Sequence, residues 1–249
     1  IYAAIVWLRN RLYDLNILKS HSFSLPIVVI GNLAVGGTGK SPMTEYILQI
    51  VNTWCKVAVL SRGYGRKTKG FRVVETTSSA EESGDEPLQI KRKFPKNTVA
   101  VCEDRCLGIE NLRSSHDAIL LDDAFQHRKL KPGFSILLFD FASLLKPILP
   151  LPTGDFRDNL YESKRANIIV ITKCPSHIDN LTRSRLQAKL RKHSQAPLFF
   201  STISYGKPIN KQGVQLNLSE EHLQHILLVT GIANPFPLLS YIKPLALSV

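Results

Sequence analysis

The run Ile27-Val-Val-Ile-Gly-Asn-Leu-Ala-Val-Gly-Gly-Thr-Gly-Lys-Ser41 decides the fold of this 249-residue chain. Its first four residues are β-branched and apolar, which predicts a buried strand. A glycine-rich turn follows, and Lys40-Ser41 opens a helical pattern that continues through Ile50. A P-loop requires this order of strand, loop and helix, because glycines let backbone N–H groups point at a phosphate and the helix N-terminus adds positive charge.

The polar residues of this loop have distinct expected roles. Lys40 is expected to reach the β- and γ-phosphates of a nucleotide, and the Ser41 hydroxyl to ligate Mg²⁺. The pattern G-x-x-x-x-G-K-[ST] would begin with glycine at position 34, where this chain has Ala34. A turn that only caps a helix is the alternative, but the lysine and hydroxyl together favour a nucleotide site. The residues expected to cradle the phosphates are Gly36, Gly37, Thr38 and Gly39.

Composition indicates a folded chain with an anionic partner. The 32 basic residues outnumber the 20 acidic ones, giving a net charge of +12. Nucleic acid, an acidic membrane surface or a phosphorylated substrate would suit this charge. The chain shows no aromatic–basic stacking motif and no recognition-helix pattern, which disfavours nucleic acid. Its four cysteines form no C-x-x-C pair, which predicts reduced thiols and a reducing compartment.

The first twenty residues predict an amphipathic helix. Apolar residues recur at helical spacing, with basic residues between them. Two interpretations stay open at this point: a helix that lies in the membrane interface, or a helix that packs on the domain. No apolar run reaches the roughly 18 residues that a membrane span needs. The apolar positions are Ile1, Ile5, Leu8, Leu12 and Leu15.

Apolar runs and helical patterns alternate along the rest of the chain. This alternation predicts an α/β fold with a mostly parallel sheet and helices on both faces. The proline-rich segment 147–154 interrupts the alternation and predicts a hinge. We therefore expect a P-loop domain at 1–145 and a second, smaller α/β lobe at 146–249. Predicted strands cover 27–30, 56–61, 71–74, 98–101, 117–123, 135–140, 166–172, 198–203 and 225–230, and predicted helices cover 85–94, 105–113 and 180–192.

Two acidic pairs are candidates for metal binding and catalysis. Asp122 and Asp123 end a predicted buried strand, where a P-loop protein places the carboxylates around Mg²⁺. Asp85 and Glu86 precede a predicted helix; they are either a helix-capping pair or a candidate base and a candidate metal ligand. His127 follows the first pair closely, together with Arg128, and we expect an imidazole and a cation near the same edge.

The segment Arg62-Gly-Tyr-Gly-Arg66 is a candidate anion site. Arginine binds phosphate through two donors, and glycines permit a close approach. Arg62 and Arg66 are therefore expected to contact substrate, and Tyr64 to stack on it or hydrogen-bond to it. The alternative is a surface turn with two solvated arginines. Basic residues beyond the hinge, among them Arg157, are expected on a solvated or membrane-facing surface.

Taken in order, these motifs resemble the tetraacyldisaccharide 4'-kinase family of Gram-negative bacteria. The resemblance rests on Gly31–Pro42, Ser61–Arg66, Gly84–Pro87, Asp122–Arg128 and Gly231–Pro235, and it extends over nearly the whole chain. It implies ATP- and Mg²⁺-dependent phosphorylation of the 4'-hydroxyl of a tetraacylated glucosamine disaccharide 1-phosphate in lipid A biosynthesis, by two α/β/α lobes at the cytoplasmic face of the inner membrane. A nucleotide switch acting on a protein partner is the alternative function.

The resemblance also assigns residue roles. It implies that Asp85 is the catalytic aspartate, that Lys40 and Ser41 serve ATP and Mg²⁺, and that Glu86, Asp122 and Asp123 are the metal and active-site acids. Three departures stand out. Ser41 replaces a frequent threonine, Ala124 replaces glycine after the aspartate pair, and the family's downstream Phe-Pro-Asp-His-His segment is missing. Because the chain also begins at Ile1, we expect a fragment cut at both ends.

Overall fold

The strand predicted at 27–30 is β1 (Ile27–Asn32), in the interior of an eight-stranded sheet. A computed structural model describes residues 2–210, 212–216, 225–232 and 235–245. The sheet order is β3-β4-β2-β5-β1-β6-β7-β8, and every neighbouring pair is parallel except β3 and β4. The other strands are β2 (Val57–Ser61), β3 (Arg72–Val73), β4 (Thr98–Val101), β5 (Ala118–Asp122), β6 (Phe134–Asp140), β7 (Ile168–Cys174) and β8 (Leu198–Thr202).

Helices cover both faces of the sheet, which confirms the predicted α/β class. Side chains of the helices Arg105–Leu112 and Asn180–Arg191 pack with Val29 and Leu121 on one face, whereas those of the helices Lys40–Val51 and Asp85–Lys93 pack with Leu120 on the other. Both faces of β1 and β5 are therefore buried, as expected for apolar runs without alternation. The helices are α1 (Tyr2–Asp14), α2 (Lys40–Val51), α3 (Ala80–Ser83), α4 (Asp85–Lys93), α5 (Arg105–Leu112), α6 (Phe141–Leu145), α7 (Asn180–Arg191) and α8 (Phe236–Ile242), with 3₁₀ helices at Leu160–Arg165 and Lys243–Leu245.

The domain boundary differs from the one expected at 145/146. The chain forms two compact units, Ile1–Thr202 and Ile203–Val249. The sheet continues across the proline-rich segment because β7 pairs with β6, with Ile136 opposite Ile168 and Asp140 opposite Thr172. Prolines interrupt regular structure locally, but they do not prevent the next strand from joining the same sheet.

The strand expected at 225–230 is a second difference. Residues 226–230 have no regular structure, and Leu227 and Val229 are 91% and 86% exposed. An apolar run forms a buried strand only where neighbouring strands and covering helices meet it, and no described strand pairs with this one. The helix after the Gly231–Pro235 turn is present as α8, while residues 233 and 234 of that turn lie outside the described residues.

Candidate active site

The predicted motifs meet at the carboxyl-terminal edge of the sheet. They line a cleft of about 910 Å³. Parallel strands bring their C-terminal ends to one edge, so loops that are distant in sequence become neighbours. The charged and polar side chains that line the cleft include Lys40, Arg62, Tyr64, Asp85, Glu86, Arg105, Asp123, Gln126, His127 and Arg157.

The glycine-rich loop has the backbone that a phosphate cradle needs. Gly36 and Gly39 have φ angles of 96° and 83°, which side chains with a Cβ rarely adopt. Helix α2 begins directly at Lys40, so its free N–H groups face the loop. Ala34 has no positive φ, and its neighbour across an isolated bridge is Phe156. This position therefore does not require the glycine of the consensus pattern.

Asp123 lies between two cations. Its Oδ1 is 3.8 Å from Lys40 Nζ and accepts a hydrogen bond from Arg157 Nη2 at 2.9 Å. Burial raises the pKa of Asp123, but the hydrogen bond from Arg157 and the charge of Lys40 outweigh it and lower the pKa below its usual value. Asp123 is therefore ionised. Arg157, expected on a solvated or membrane-facing surface, belongs instead to the cleft.

Asp122 is a buried carboxyl with an unused oxygen. It is 1% exposed, and its Oδ1 accepts a hydrogen bond from Thr44 Oγ1 at 3.1 Å. Its Oδ2 has no partner among the described residues. Burial, then the negative charges of Glu86 and Asp123, raise its pKa to about 7. A buried oxygen that lacks a donor beside other carboxylates suits a divalent cation, and oxygen ligands suit Mg²⁺.

Two glycines join the 62–66 turn to the start of α4. A Cβ on Gly84 would lie 2.9 Å from the Tyr64 carbonyl oxygen, and one on Gly63 would lie 2.9 Å from the Ser83 carbonyl oxygen. Only glycine permits this approach of two backbones. The contact brings Asp85 beside the 62–66 turn in the cleft.

Asp85 and Glu86 remain exposed at this helix start. The cap residue of α4 is Gly84, and no side-chain cap hydrogen bond is present there. The helix-capping interpretation therefore lacks its hydrogen bond, and both carboxylates line the cleft.

Arg66 does not reach the cleft, unlike Arg62 and Tyr64. Its side chain is 2% exposed, and Nη2 donates to Glu103 Oε1 and to the Gly70 carbonyl, both at 2.7 Å. The expected substrate contact of Arg66 is thus replaced by a structural one, which stabilises the turn that carries Arg62 and Tyr64. A sequence motif with two arginines does not show which one is buried.

His127 lines the cleft as a neutral imidazole. Burial, then the positive charge of Arg105, lower its pKa to about 4. Its Nε2 is buried and has no partner in the described part of the chain. Arg128, expected beside it as a cation near the same edge, instead pairs with Asp14 at 2.7 Å and Glu162 at 3.2 Å. The imidazole of His127 therefore lies at the carboxyl-terminal edge of the sheet, and the charge of Arg128 does not.

Helix α1 packs on the domain and also exposes an apolar stripe. Asn10 Nδ2 donates to Asp158 Oδ1 at 2.9 Å, and Asp14 accepts from Arg128 at 2.7 Å. On the other side of the helix, Ile5 and Leu8 are more than half exposed, as is Leu15 just after its end. Both interpretations of this helix are thus compatible with its structure. Among the described helices, none has the length and apolar character to span a bilayer.

Three polar residues of the site escaped the sequence reasoning: Asn32, Arg105 and Arg157. Asn32 accepts a hydrogen bond from Arg157 and is fully buried, although it ends an apolar strand. A polar residue at the end of this apolar strand could have indicated a site residue, because functional side chains gather at the carboxyl ends of parallel strands. Arg105 begins a predicted helix and Arg157 follows the prolines, and neither has a local pattern that indicates a cleft.

Comparisons with known proteins place the chain in a family. The family model described as tetraacyldisaccharide-1-P 4'-kinase matches residues 1–249. The tetraacyldisaccharide 4'-kinase of Phocaeicola vulgatus is 45% identical over 98% of this chain and 69% of its own length; that of Flavobacterium psychrophilum is 44% identical over 94% and 70%. The LpxK structure of Aquifex aeolicus in complex with ATP is 29% identical, with a TM-score of 0.79 over 100% of this chain and 78% of that one. Because the family model matches its whole length, the chain belongs to the tetraacyldisaccharide-1-P 4'-kinase family.

Proposed function

We propose that this chain transfers the γ-phosphate of ATP to the 4'-hydroxyl of a tetraacylated glucosamine disaccharide 1-phosphate. The observation that carries the proposal is the meeting of the Lys40 loop with Asp123 and with the Asp85–Glu86 pair in one cleft. A family match over the whole chain supplies the identity of the acceptor.

The donor side of the cleft serves the triphosphate. Lys40 and the N-terminus of α2 stabilise the phosphate charge. Ser41, Glu86 and Asp123 are the proposed Mg²⁺ ligands; Asp122, whose Oδ2 has no partner among the described residues, is close enough to Glu86 and Asp123 to feel both charges. When bound, Mg²⁺ neutralises charge that develops on the transferred phosphoryl group.

The acceptor side of the cleft serves the sugar. We assign Asp85 the role of accepting the proton of the attacking hydroxyl, since its exposed carboxylate faces the cleft. His127 is a neutral imidazole that donates or accepts a single hydrogen bond there. Arg62 and Tyr64 lie beside Asp85 and are the proposed contacts for the sugar phosphate.

Formation of ADP separates this function from a nucleotide switch. A kinase forms ADP in proportion to added acylated disaccharide 1-phosphate, and Asp85→Asn abolishes that dependence while ATP still binds. Turnover of equal rate with and without the acceptor would support the switch. A nucleotide switch phosphorylates no acceptor hydroxyl, so it would need neither Asp85 as a base nor Arg62 as a contact for a sugar phosphate.

We further propose that the exposed stripe of α1 lies in the membrane interface, at the cytoplasmic face of the bacterial inner membrane. The support is the exposure of Ile5 and Leu8 on a helix that is already anchored by Asn10. Flotation with vesicles that contain anionic lipid tests this. Binding falls in the double variant Ile5→Ser/Leu8→Ser but persists in Leu181→Ser, which removes an even more exposed leucine from α7. Equal flotation of both variants would contradict it.

A further inference from the structure

Thr38 is held on two sides by buried polar side chains. Its hydroxyl oxygen accepts a hydrogen bond from Asn32 Nδ2 at 2.8 Å, and its carbonyl oxygen accepts one from Thr172 Oγ1 at 2.8 Å. All three residues are at most 5% exposed. Buried hydrogen bonds of this kind are costly to break, because the separated groups find no water. The phosphate loop is therefore fixed between β1 and β7.

Lys173 adds a second tie from the same strand. Its Nζ donates to the Gly37 carbonyl and lies 3.5 Å from Asp140 Oδ2. Its φ angle of 55° is unusual for lysine and turns the residue out of the strand. Residues 172 and 173 thus bind two consecutive carbonyls of the loop.

These ties orient the loop amides. In a trans peptide unit the carbonyl and the following N–H point in opposite directions. Fixing the Thr38 carbonyl toward Thr172 therefore directs the Gly39 N–H away from Thr172. A phosphate-binding loop requires backbone N–H groups that are held in a fixed orientation and are free to donate to the anion.

Asn32 also connects the loop with the acidic pair. Its Oδ1 accepts a hydrogen bond from Arg157, whose guanidinium donates to Asp123 at 2.9 Å. An unbroken series of side-chain contacts therefore runs from Asp123 to the loop and on to β7. The loop and the carboxylate cannot shift independently without breaking one of these bonds.

We propose that Asn32 and Thr172 are positioning residues that hold the phosphate loop in its ATP-binding conformation. The hydroxyl and carbonyl oxygens of Thr38, one of the residues expected to cradle the phosphates, both accept hydrogen bonds from these two side chains. This inference rests on the proposed use of ATP. It adds to that function two residues that touch neither phosphate nor sugar.

The test compares Thr172→Val with Thr172→Ser in binding of N-methylanthraniloyl-ATP. Valine keeps the shape but removes the donor, and loss of one such bond weakens binding about five-fold. Serine keeps the hydroxyl and restores affinity to within about two-fold of the wild type. In a turnover assay, Thr172→Val raises the KM for ATP while kcat changes less.

Thr98→Val is the matched control. It also removes a threonine hydroxyl, one that is hydrogen-bonded to His116 Nε2 at 2.8 Å. Thr98 is the first residue of β4 and therefore lies at the edge of the sheet opposite the phosphate loop. It lowers the melting temperature and leaves ATP affinity unchanged. Equal affinities for Thr172→Val and Thr98→Val, or no rescue by serine, would overturn the positioning role alone. Failure of the wild-type chain to bind the nucleotide would overturn the ATP site and this inference together.

Discussion

Replacing Asp122 with asparagine tests the electrostatics of the site most directly. Asp122 is buried beside Glu86 and Asp123, and its pKa in the folded chain is about 7, against an ordinary value of 3.8. Asparagine keeps an oxygen that can accept the Thr44 hydrogen bond and carries no charge. The substitution therefore removes a buried acid whose ionisation opposes folding.

The sign and size of the effect follow from proton linkage. A raised pKa in the folded chain means that the folded state binds more protons between pH 4 and pH 7, so ionisation of Asp122 costs stability as pH rises through that window. The pKa of Asp122 is raised by about three units, and each unit corresponds to about 1.4 kcal/mol. Full ionisation of Asp122 therefore lowers the free energy of unfolding by about 4 kcal/mol. We expect Asp122→Asn to stabilise the chain by about 2 kcal/mol at pH 5 and about 4 kcal/mol at pH 8.

Urea unfolding followed by circular dichroism measures this difference. The free energy of unfolding is compared between wild type and Asp122→Asn at several values from pH 5 to pH 8, with Asp155→Asn, an exposed aspartate, as the control. The increase in the free energy of unfolding of Asp122→Asn over wild type becomes larger as pH rises, and the control variant shows no such trend. A gain that is the same at pH 5 and pH 8 would refute the raised pKa. Adding Mg²⁺ and ATP at pH 8 narrows the gap, because a bound cation offsets the buried charge.

Other consequences of the site can be checked separately. Asp85→Asn lowers kcat by about a hundred-fold or more and leaves ATP affinity within about two-fold, since general-base loss affects chemistry and not donor binding; a parallel loss of ATP affinity would contradict the assignment. Lys40→Met weakens ATP binding at least about ten-fold in a direct titration, and unchanged binding would exclude its phosphate contact. NMR titration of the His127 imidazole is expected to give a pKa of about 4, so that His127 stays neutral from about pH 5 upward; a value near 6.5 would show that it is not desolvated. Arg66→Met destabilises the chain by about 1–3 kcal/mol in urea, as loss of a buried charged hydrogen-bond donor should, whereas an unchanged midpoint would deny it a structural role.

Most of the fold could be predicted from the sequence because its strands are apolar on both faces. The runs before Asn32 and Asp122 have no polar alternation, and parallel strands between two helical layers require none. Helix α4 begins at Asp85, as predicted, because the glycine before it ends the preceding turn. The chemistry-bearing residues at strand ends followed from the same reasoning.

The features that the sequence did not predict depend on contacts between residues that are far apart in the chain. Arg66 and Arg157 are both arginines beside glycine or proline turns, yet one is buried against Glu103 and the other binds Asp123 in the cleft. Local pattern cannot decide such a choice, because the partner comes from a different loop. The strand predicted at 225–230 is wrong for a related reason. Burial of a strand depends on neighbouring strands and helices, and Leu227 is exposed in this structure.

The charges around the cleft explain why a cation is needed and where the chain's basic excess lies. Five basic side chains line the cleft and four acidic ones oppose them, so its net charge is only +1. A triphosphate and a sugar phosphate together bring far more negative charge than that, and Mg²⁺ must neutralise the difference. Of the chain's net charge of +12, eleven therefore lie outside the cleft lining. The positive charge of this chain is thus carried almost entirely by residues other than those that line the cleft.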